Sequence, residues 1–523
     1  MGDNPDAEKP NVLLIVADQH NPRFRGGYST TEHGEPVQTP TLDELADNST
    51  VFEWAYCGVP LCTPSRLCFL SGREAAKVGA WGNKSLLPEG LVTIPEAFSN
   101  AGYETGLVGK MHLGGNRQFG GFDRRPYGDL TGRGGHQFEP PDPQLEIEPE
   151  WEELLTETGV TNIPESLLQE QNVLRESMSF LRDHRNRSDD PWFLCASFNR
   201  PHWPRTAPQR HIDEYWPDGA TPPTVTAEEA DTADHPMSAD RRKRYAADKI
   251  DDETTLEARS SYFACVEYVD EILRDFFTQL EADHFLENTI IVYVSDHGEM
   301  AGEHGLWDKN TWHEGSCRVP FFLSLPETFD RNQPNRITTP VSLLDLYPTL
   351  TSLADVDAPE GLDGHDLSPA LVENQPLDRG PVVIDNFTPY SKEINYRVVR
   401  DGEYKYVRFR DAPDLFFDLS EDPLEQRNRL NSSRTDTEEI IEDLRSYAIE
   451  TLDFDYVDER YEADRIEAPQ RQLPIPKGKG NAYHLPDGRI IDADSFLYYP
   501  HVLCEDPEAL ITDMSTQAKQ SDE

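Results

Sequence analysis

Three apolar runs, each closed by polar residues, constrain this chain more than any other feature. Asn11–Ala17 reads Asn-Val-Leu-Leu-Ile-Val-Ala and ends at Asp18 and Gln19. Thr289–Ser295 reads Thr-Ile-Ile-Val-Tyr-Val-Ser and ends at Asp296 and His297. Pro191–Phe198 leads into Asn199-Arg200-Pro201-His202. Short runs without polar alternation suit strands covered on both faces, the situation of parallel sheets flanked by helices. Helical stretches around 94–101, 167–183 and 256–280 supply the flanking layers. The expected fold class is therefore α/β, with a large, mostly parallel central sheet between helices. Such sheets gather ligands beyond the carboxyl ends of their strands, which is where the polar pairs stand.

At 523 residues the chain exceeds one compact core. Pro- and Asp-rich sequence near 355–385 marks a boundary. The expected organisation is a catalytic α/β domain over 1–380 and a smaller α+β subdomain over 381–523 ending in an acidic tail. Tyr396–Phe409 reads as two strands about an Asp401-Gly402 turn. Segments 130–165 and 205–250 are rich in Pro, Gly, Asp and Glu and read as long loops over the rim of a site.

Charge decides the setting. There are 97 acidic residues against 48 basic ones, a net charge of −49. Only 12 of the basic residues are Lys. An excess spread over the whole chain suits very high salt, where counterions screen self-repulsion. It disfavours nucleic acid as a partner, since phosphate binding needs basic surface. Seven cysteines show no paired spacing, so no disulfide framework is expected. No apolar leader and no membrane-spanning run is visible. A cytoplasmic, halophilic protein without a membrane partner is the expectation, and a homo-oligomer remains open.

Residues 62–73 read Cys-Thr-Pro-Ser-Arg-Leu-Cys-Phe-Leu-Ser-Gly-Arg. Pro64 fixes φ, and Arg66 sets a permanent cation near Cys62 that favours the thiolate. A plain cysteine nucleophile is one reading of that chemistry. The string also resembles the C-x-P-S-R signature of the type I sulfatases, members of the alkaline phosphatase superfamily. That resemblance implies that Cys62 is oxidised by a formylglycine-generating maturation enzyme to an aldehyde whose hydrate is the nucleophile. It further implies an alkaline-phosphatase-like core with a smaller carboxyl-terminal antiparallel sheet. Leu415–Leu430, reading Leu-Phe-Phe-Asp-Leu-Ser-Glu-Asp-Pro-Leu-Glu-Gln-Arg-Asn-Arg-Leu, resembles the matching stretch of that second sheet.

The same resemblance assigns roles elsewhere. Hard cations need converging oxygens, some of them anionic. Asp18 with Gln19, Asp296 with His297, and Cys62 itself fall at the family's metal positions. Gln19 and His297 depart from the usual second aspartate and asparagine. They resemble the phosphonate monoester hydrolase and choline-sulfatase branches, and they soften a Ca²⁺ site toward Mn²⁺. Gly102-Tyr103-Glu104-Thr105-Gly106-Leu107-Val108-Gly109-Lys110-Met111-His112 resembles the second sulfatase signature. There Lys110 holds a sulfate oxygen and His112 bonds the formylglycine hydrate. Alternation along an extended segment is expected to put both on one side. His202 matches the histidine that protonates the leaving oxygen, and Lys309 matches a second sulfuryl-binding lysine. Asn83 falls at the spacing of a substrate-facing asparagine in the phosphonate-hydrolase branch. Glu314 and Arg318 are expected to be structural, and His304 and His313 to pack.

Taken together, the resemblance implies a metal-assisted sulfatase, a sulfuric ester hydrolase of the arylsulfatase kind, acting on a small-molecule or saccharide sulfate monoester. A phosphonate monoester or phosphodiester hydrolase on the same scaffold is the alternative, suggested by Gln19 and His297 and opposed by Lys110. A non-catalytic anion-binding protein is a third reading, which loss of a metal ligand would have favoured.

Overall fold

The computed structural model describes residues 9–29, 34–113, 117, 119–127, 158–245, 247, 250–329, 334–387, 391–430, 437–467, and the short strands at 482–484 and 490–492. The central sheet contains β1 (Asn11–Asp18), β2 (Thr50–Phe52), β3 (Glu104–Gly109), β4 (Arg124–Tyr127), β5 (Trp192–Pro201), β6 (Thr289–Ser295), β7 (Phe321–Ser324) and β8 (Arg336–Ile337). Their order is β8-β2-β7-β6-β1-β5-β3-β4. The five strands from β6 to β4 run parallel, and β7 is antiparallel to both its neighbours.

The apolar run of β1 divides between two cores, as a doubly covered strand should. Val12, Leu14 and Val16 face one cluster, while Leu13, Ile15 and Ala17 face the other. The second cluster lies under Gln169–Arg185 and the long helix Asp252–Ala282. The first lies under Cys62–Ser71, which we call α1, and continues into a second sheet. That sheet is antiparallel, in the order β9 (Val382–Asn386), β10 (Tyr396–Asp401), β11 (Tyr404–Phe409), β12 (Leu415–Asp418). Ile384, Val398, Val407 and Phe417 of this sheet join the same core cluster as α1.

The hairpin expected about Asp401-Gly402 is present, pairing Asp401 with Tyr404. Segment 205–250 differs from the expectation of long loops. It folds into a short strand (Arg205–Ala207), a helix (Gln209–Tyr215) and a further helix we call α2 (Pro236–Arg244). Pro236 opens α2 at a position where its missing N–H is no loss, and His235 accepts a hydrogen bond from Met237 N. Much of the 130–165 stretch and the expected acidic tail lie outside the described residues.

Candidate active site

Strand register builds the site. β1 and β6 pair with Ala17 opposite Ser295, so the next residues, Asp18 and Asp296, emerge side by side. On the other flank β3 pairs Gly109 with Ser197 of β5, which delivers Lys110 to the same sheet edge. Gly109 has φ +95°, and a Cβ there would stand 1.9 Å from the Ser197 carbonyl oxygen, so only glycine allows this approach.

Cys62 opens α1, where the helix dipole favours an anion. Its Sγ lies 3.2 Å from His297 Nε2, 3.2 Å from Lys309 Nζ and 3.9 Å from Asp18 Oδ1. Burial alone would push the thiol pKa up. Lys309, Lys110, His297 and a hydrogen bond with His112 outweigh it and hold the thiol well below its ordinary range.

Arg66 stands one turn further along α1, fully buried, and acts as a clamp. Its Nε donates to Asp296 Oδ2 at 2.8 Å and Nη2 to Asp18 Oδ2 at 3.1 Å. Nη1 reaches the Lys110 carbonyl at 2.7 Å and Ser197 Oγ at 3.0 Å. The Oδ2 atoms of both aspartates are thus occupied, and the Oδ1 atoms face the thiol and the His297 imidazole. His297 Nε2 is 3.8 Å from Asp18 Oδ1 and 3.6 Å from Asp296 Oδ1. Its Nδ1 lies 3.0 Å from the Gly298 carbonyl, which can only accept, so Nδ1 carries a proton and Nε2 faces the cluster; burial opposes the ring's charge, but Asp296 and Cys62 outweigh it and raise its pKa.

Asp18, Cys62, Asp296 and His297 consequently present four donor atoms within 4.8 Å of one another. Two carboxylates, a thiolate-prone sulfur and an imidazole with Nε2 turned inward fit a divalent cation. Gln19 stands beside this group. Its backbone has φ 70°, and its amide Oε1 accepts from Lys309 Nζ at 2.7 Å. Its Nε2 donates to Asp308 Oδ1 at 2.7 Å and to Glu299.

Lys110 Nζ lies 2.7 Å from Asp18 Oδ2 and 3.2 Å from Asn199 Oδ1. Burial disfavours the Lys309 charge, but Asp308, Cys62, Asp18 and Asp296 reverse this and raise its pKa. His112 does not reach Cys62 by alternation along an extended segment. Its φ is 55°, and this left-handed kink, with its carbonyl taken by Thr63 Oγ1 at 2.7 Å, turns the ring to the thiol. His202 leaves about a fifth of its side chain exposed (19%), and Nε2 lies 3.9 Å from Asp18 Oδ1. Nδ1 is 2.7 Å from the Trp203 carbonyl, so Nε2 is the working nitrogen. Burial, Lys110 and Lys309 lower its pKa. Asn83 Oδ1 accepts from Thr63 N at 3.2 Å and so anchors the start of α1.

Several contributing residues were not read from the sequence. Ser197 and Asn199 back Arg66 and Lys110, and Asn199 adjoins a quoted motif. Asp308, φ 65°, directly precedes Lys309 and accepts from Tyr245 Oη at 2.8 Å. Glu299 accepts from Arg205 at 2.9 Å and from the amides of Ala301 and Asp308. Nothing local in the sequence marks Tyr245. Glu314 and Arg318 hold Lys405 and Glu53, away from the cluster, and His304 packs against His313 with ring centroids 4.4 Å apart.

Sites for a dication, a nucleophile and two ammonium groups in one buried cleft define a hydrolase of anionic esters. The particular family follows from comparison. A family model described as sulfatase matches residues 10–356, and one described as N-sulphoglucosamine sulphohydrolase, C-terminal, matches residues 302–452. The chain belongs to the sulfatase family and is a sulfuric ester hydrolase. It is 31% identical over 441 residues to the choline-sulfatase of Rhizobium meliloti (strain 1021), covering 82% of this chain and 83% of that one. It is 30% identical over 470 residues to an arylsulfatase of Clostridium perfringens (strain 13 / Type A), covering 85% and 95%. Among solved structures, an enzyme in complex with its substrate D-glucosamine-2-N,6-O-disulfate aligns with TM-score 0.68 at 21% identity, covering 87% of this chain and 99% of the other. The phosphonate monoester hydrolase of Agrobacterium radiobacter aligns with TM-score 0.66 at 21% identity, covering 92% and 99%. These two share the fold.

Proposed function

We propose that the chain hydrolyses an organic sulfate monoester with the Cys62 position as carrier of the nucleophile. The observation that carries this reading is the convergence on Sγ, with His297 Nε2 and Lys309 Nζ both at 3.2 Å. Asp18, Asp296, His297 and the Cys62 position would hold a divalent cation, Ca²⁺ foremost and Mn²⁺ next, with Gln19 alongside. Such a cation supplies Lewis-acid polarisation of sulfuryl oxygens. Formylglycine at position 62, made by a maturation enzyme, would supply a hydrated aldehyde as nucleophile and a second hydroxyl to expel sulfate.

The remaining work falls to side chains already in place. Lys110 and Lys309 neutralise sulfuryl oxygens without any proton transfer. Arg66 holds both aspartates aligned from behind. His112 hydrogen-bonds the group at position 62. His202, held neutral by burial and by the two lysines, regains proton affinity at Nε2 as an anionic ester arrives and delivers that proton to the leaving oxygen. All six described cysteines are free, which fits a reducing, cytoplasmic setting. The −49 net charge fits a saline one.

The test is the mass of the Cys62 peptide from protein purified out of its native host, paired with turnover of aryl sulfates. Aldehyde and turnover together support the reading. An unmodified thiol in active protein would replace formylglycine with direct cysteine chemistry. Phosphonate or phosphodiester hydrolysis on the same scaffold is the second reading, favoured by the 0.66 alignment above. It becomes the better one if phosphonate turnover exceeds sulfate turnover and survives Lys110→Ala.

A further inference from the structure

Glu299 is wholly buried two residues beyond His297, yet it has no part in the chemistry derived above. Its carboxylate is surrounded by donors. Oε1 accepts from the amides of Ala301 at 2.8 Å and Asp308 at 2.7 Å. Oε2 accepts from Arg205 Nη2 at 2.9 Å and from Gln19 Nε2. A carboxylate withdrawn from water is tolerated when its oxygens are satisfied in this way. Two of these donors are backbone and one belongs to an ion pair. The remaining one, Gln19, stands beside the metal-ligand cluster.

The Gln19 carboxamide is thereby held at both ends. Its Nε2 donates to two carboxylates, Glu299 and Asp308, the latter at 2.7 Å, while its Oε1 accepts from Lys309 Nζ at 2.7 Å. Turning the amide over would set its oxygen against two acceptors and its NH2 against an ammonium, so its neighbours fix its orientation. A carboxylic side chain at position 19 would bring a third anion against Glu299 and Asp308. An amide alone among side chains of this size accepts from the ammonium at one end and donates to both carboxylates at the other. The backbone is tied at the same point. Asn21 Nδ2 donates to the Glu299 carbonyl at 2.9 Å, and Met300 N to the Asp308 carbonyl at 2.8 Å. The end of β1, the segment after β6 and the Lys309 loop therefore meet around one carboxylate. Lys309 Nζ in turn stands 3.2 Å from Cys62 Sγ, so whatever aims this ammonium aims it at the nucleophile's position.

We propose that Glu299 is a positioning residue for sulfate-ester hydrolysis: it locks the Gln19 carboxamide and, through it, sets Lys309 beside the group at position 62. This deepens the sulfatase reading and rests on it. Glu299 touches neither substrate nor nucleophile and acts only through Gln19.

The experiment measures kcat and KM for 4-nitrophenyl sulfate, at constant molar KCl, on native-host protein with the aldehyde verified. Glu299→Gln keeps the shape but replaces an acceptor with a donor. It is expected to lower kcat by about tenfold or more while KM changes by less than about threefold. In a Lys309→Ala background the same change is expected to cost less than about threefold, because the ammonium it positions is gone. A crystal structure of Glu299→Gln should show Lys309 Nζ beyond hydrogen-bond distance of Gln19 Oε1. Gln19→Met removes the amide and leaves Glu299 its Arg205 and backbone partners; it should give the same non-additive pattern, and it serves if Glu299→Gln does not fold. A merely structural Glu299 would cost the same in both backgrounds. That equality, a kcat loss below about threefold, or a Lys309 unmoved in the variant would overturn the proposal. Failure of the unsubstituted protein to hydrolyse any sulfate ester despite a verified aldehyde would instead sink the sulfatase reading itself.

Discussion

Removing Arg66 tests whether this site is held together from behind. In Arg66→Ala, Asp18 keeps Lys110 at 2.7 Å. Asp296 loses its 2.8 Å guanidinium partner and keeps, on Oδ1, the amides of Gln19 and His297 and the more distant His297 Nε2 at 3.6 Å. Breaking a buried ion pair from one side costs about 3–5 kcal/mol. The Lys110 carbonyl and Ser197 Oγ lose donors as well, adding about 1–3 kcal/mol. The expected loss is therefore about 4–8 kcal/mol, against a typical total of about 5–15 kcal/mol for a folded protein. Arg66→Lys, one donor head in place of a fork, should lose about half as much. Urea unfolding followed by tryptophan fluorescence in constant molar KCl measures this, with and without millimolar Ca²⁺ or Mn²⁺. Added cation should restore more stability to Arg66→Ala than to the parent, because it neutralises the carboxylates left unpaired. A loss below about 1 kcal/mol with an unchanged m-value would refute the reasoning.

Three further outcomes are expected. Before any modification, the Cys62 thiol should ionise well below the ordinary cysteine range, since the lysines and His297 outweigh burial; thiolate absorbance or alkylation rate against pH reads the midpoint, and a midpoint near 9 would remove the electrostatic account. Lys309→Ala should lower kcat/KM for a sulfate ester at least 100-fold (about 2.7 kcal/mol) with the fold intact by circular dichroism, and a loss under threefold would exclude Lys309 from the charge-neutralising role. Burial holds His304 down to about 4, and burial, His304, Lys405 and His235 hold His313 well below 6.5. The unfolded chain therefore takes up protons first: the stability is complete above about pH 6.5 and drains away as pH falls toward about 4, by about 3 kcal/mol for His304 alone. His313→Phe, which keeps a ring against Trp312, should shift acid unfolding to lower pH; an unmoved midpoint would mean that His313 is not buried neutral.

The parts of this protein legible in its sequence are those where one physical constraint acts locally. Runs of apolar residues such as Val12–Ala17 and Ile290–Val294 must be covered on both faces, and β1 and β6 are, so the polar residues after them meet once Ala17 registers with Ser295. Cys62, Lys110 and Lys309 could be singled out because each sits in a quoted string. What the sequence hid depends on distant partners. Gln19 and Asp308 are 289 positions apart, yet their contact aims the Gln19 amide oxygen at Lys309 rather than leaving it free. His112 does reach Cys62, but through its own left-handed backbone, which alternation cannot anticipate, while Lys110 meets Asp18 and Asn199. The polar stretch at 205–250 hid helices because the buried positions of those helices, His211, Ile212 and Tyr215 in one and Met237, Ser238 and Arg241 in the other, mix polar with apolar side chains and set no clear hydrophobic period.

The charge balance explains why a site for anions can work inside so acidic a protein. At its centre Arg66, Lys110 and Lys309 face Asp18, Asp296 and a thiolate-prone Cys62, so the unmodified cluster is close to neutral. Converting the thiol to an uncharged aldehyde hydrate, as proposed, would remove one anion, and a bound dication would add two positive charges. Both changes would push the centre positive only when the site is complete. Because the cluster is buried, that local field is scarcely screened, whereas the −49 of the whole chain acts through solvent. A Debye length of about 3 Å at 1 M salt erases the distant repulsion and leaves the local attraction, while about 30 Å at 0.01 M lets the acidic shell oppose every anionic substrate. Salt then favours substrate entry here, the reverse of ordinary electrostatic steering, in which opposite charges attract and salt slows the encounter. On this account the acidic surface and the cationic pocket are one design, compatible only because they act over different distances.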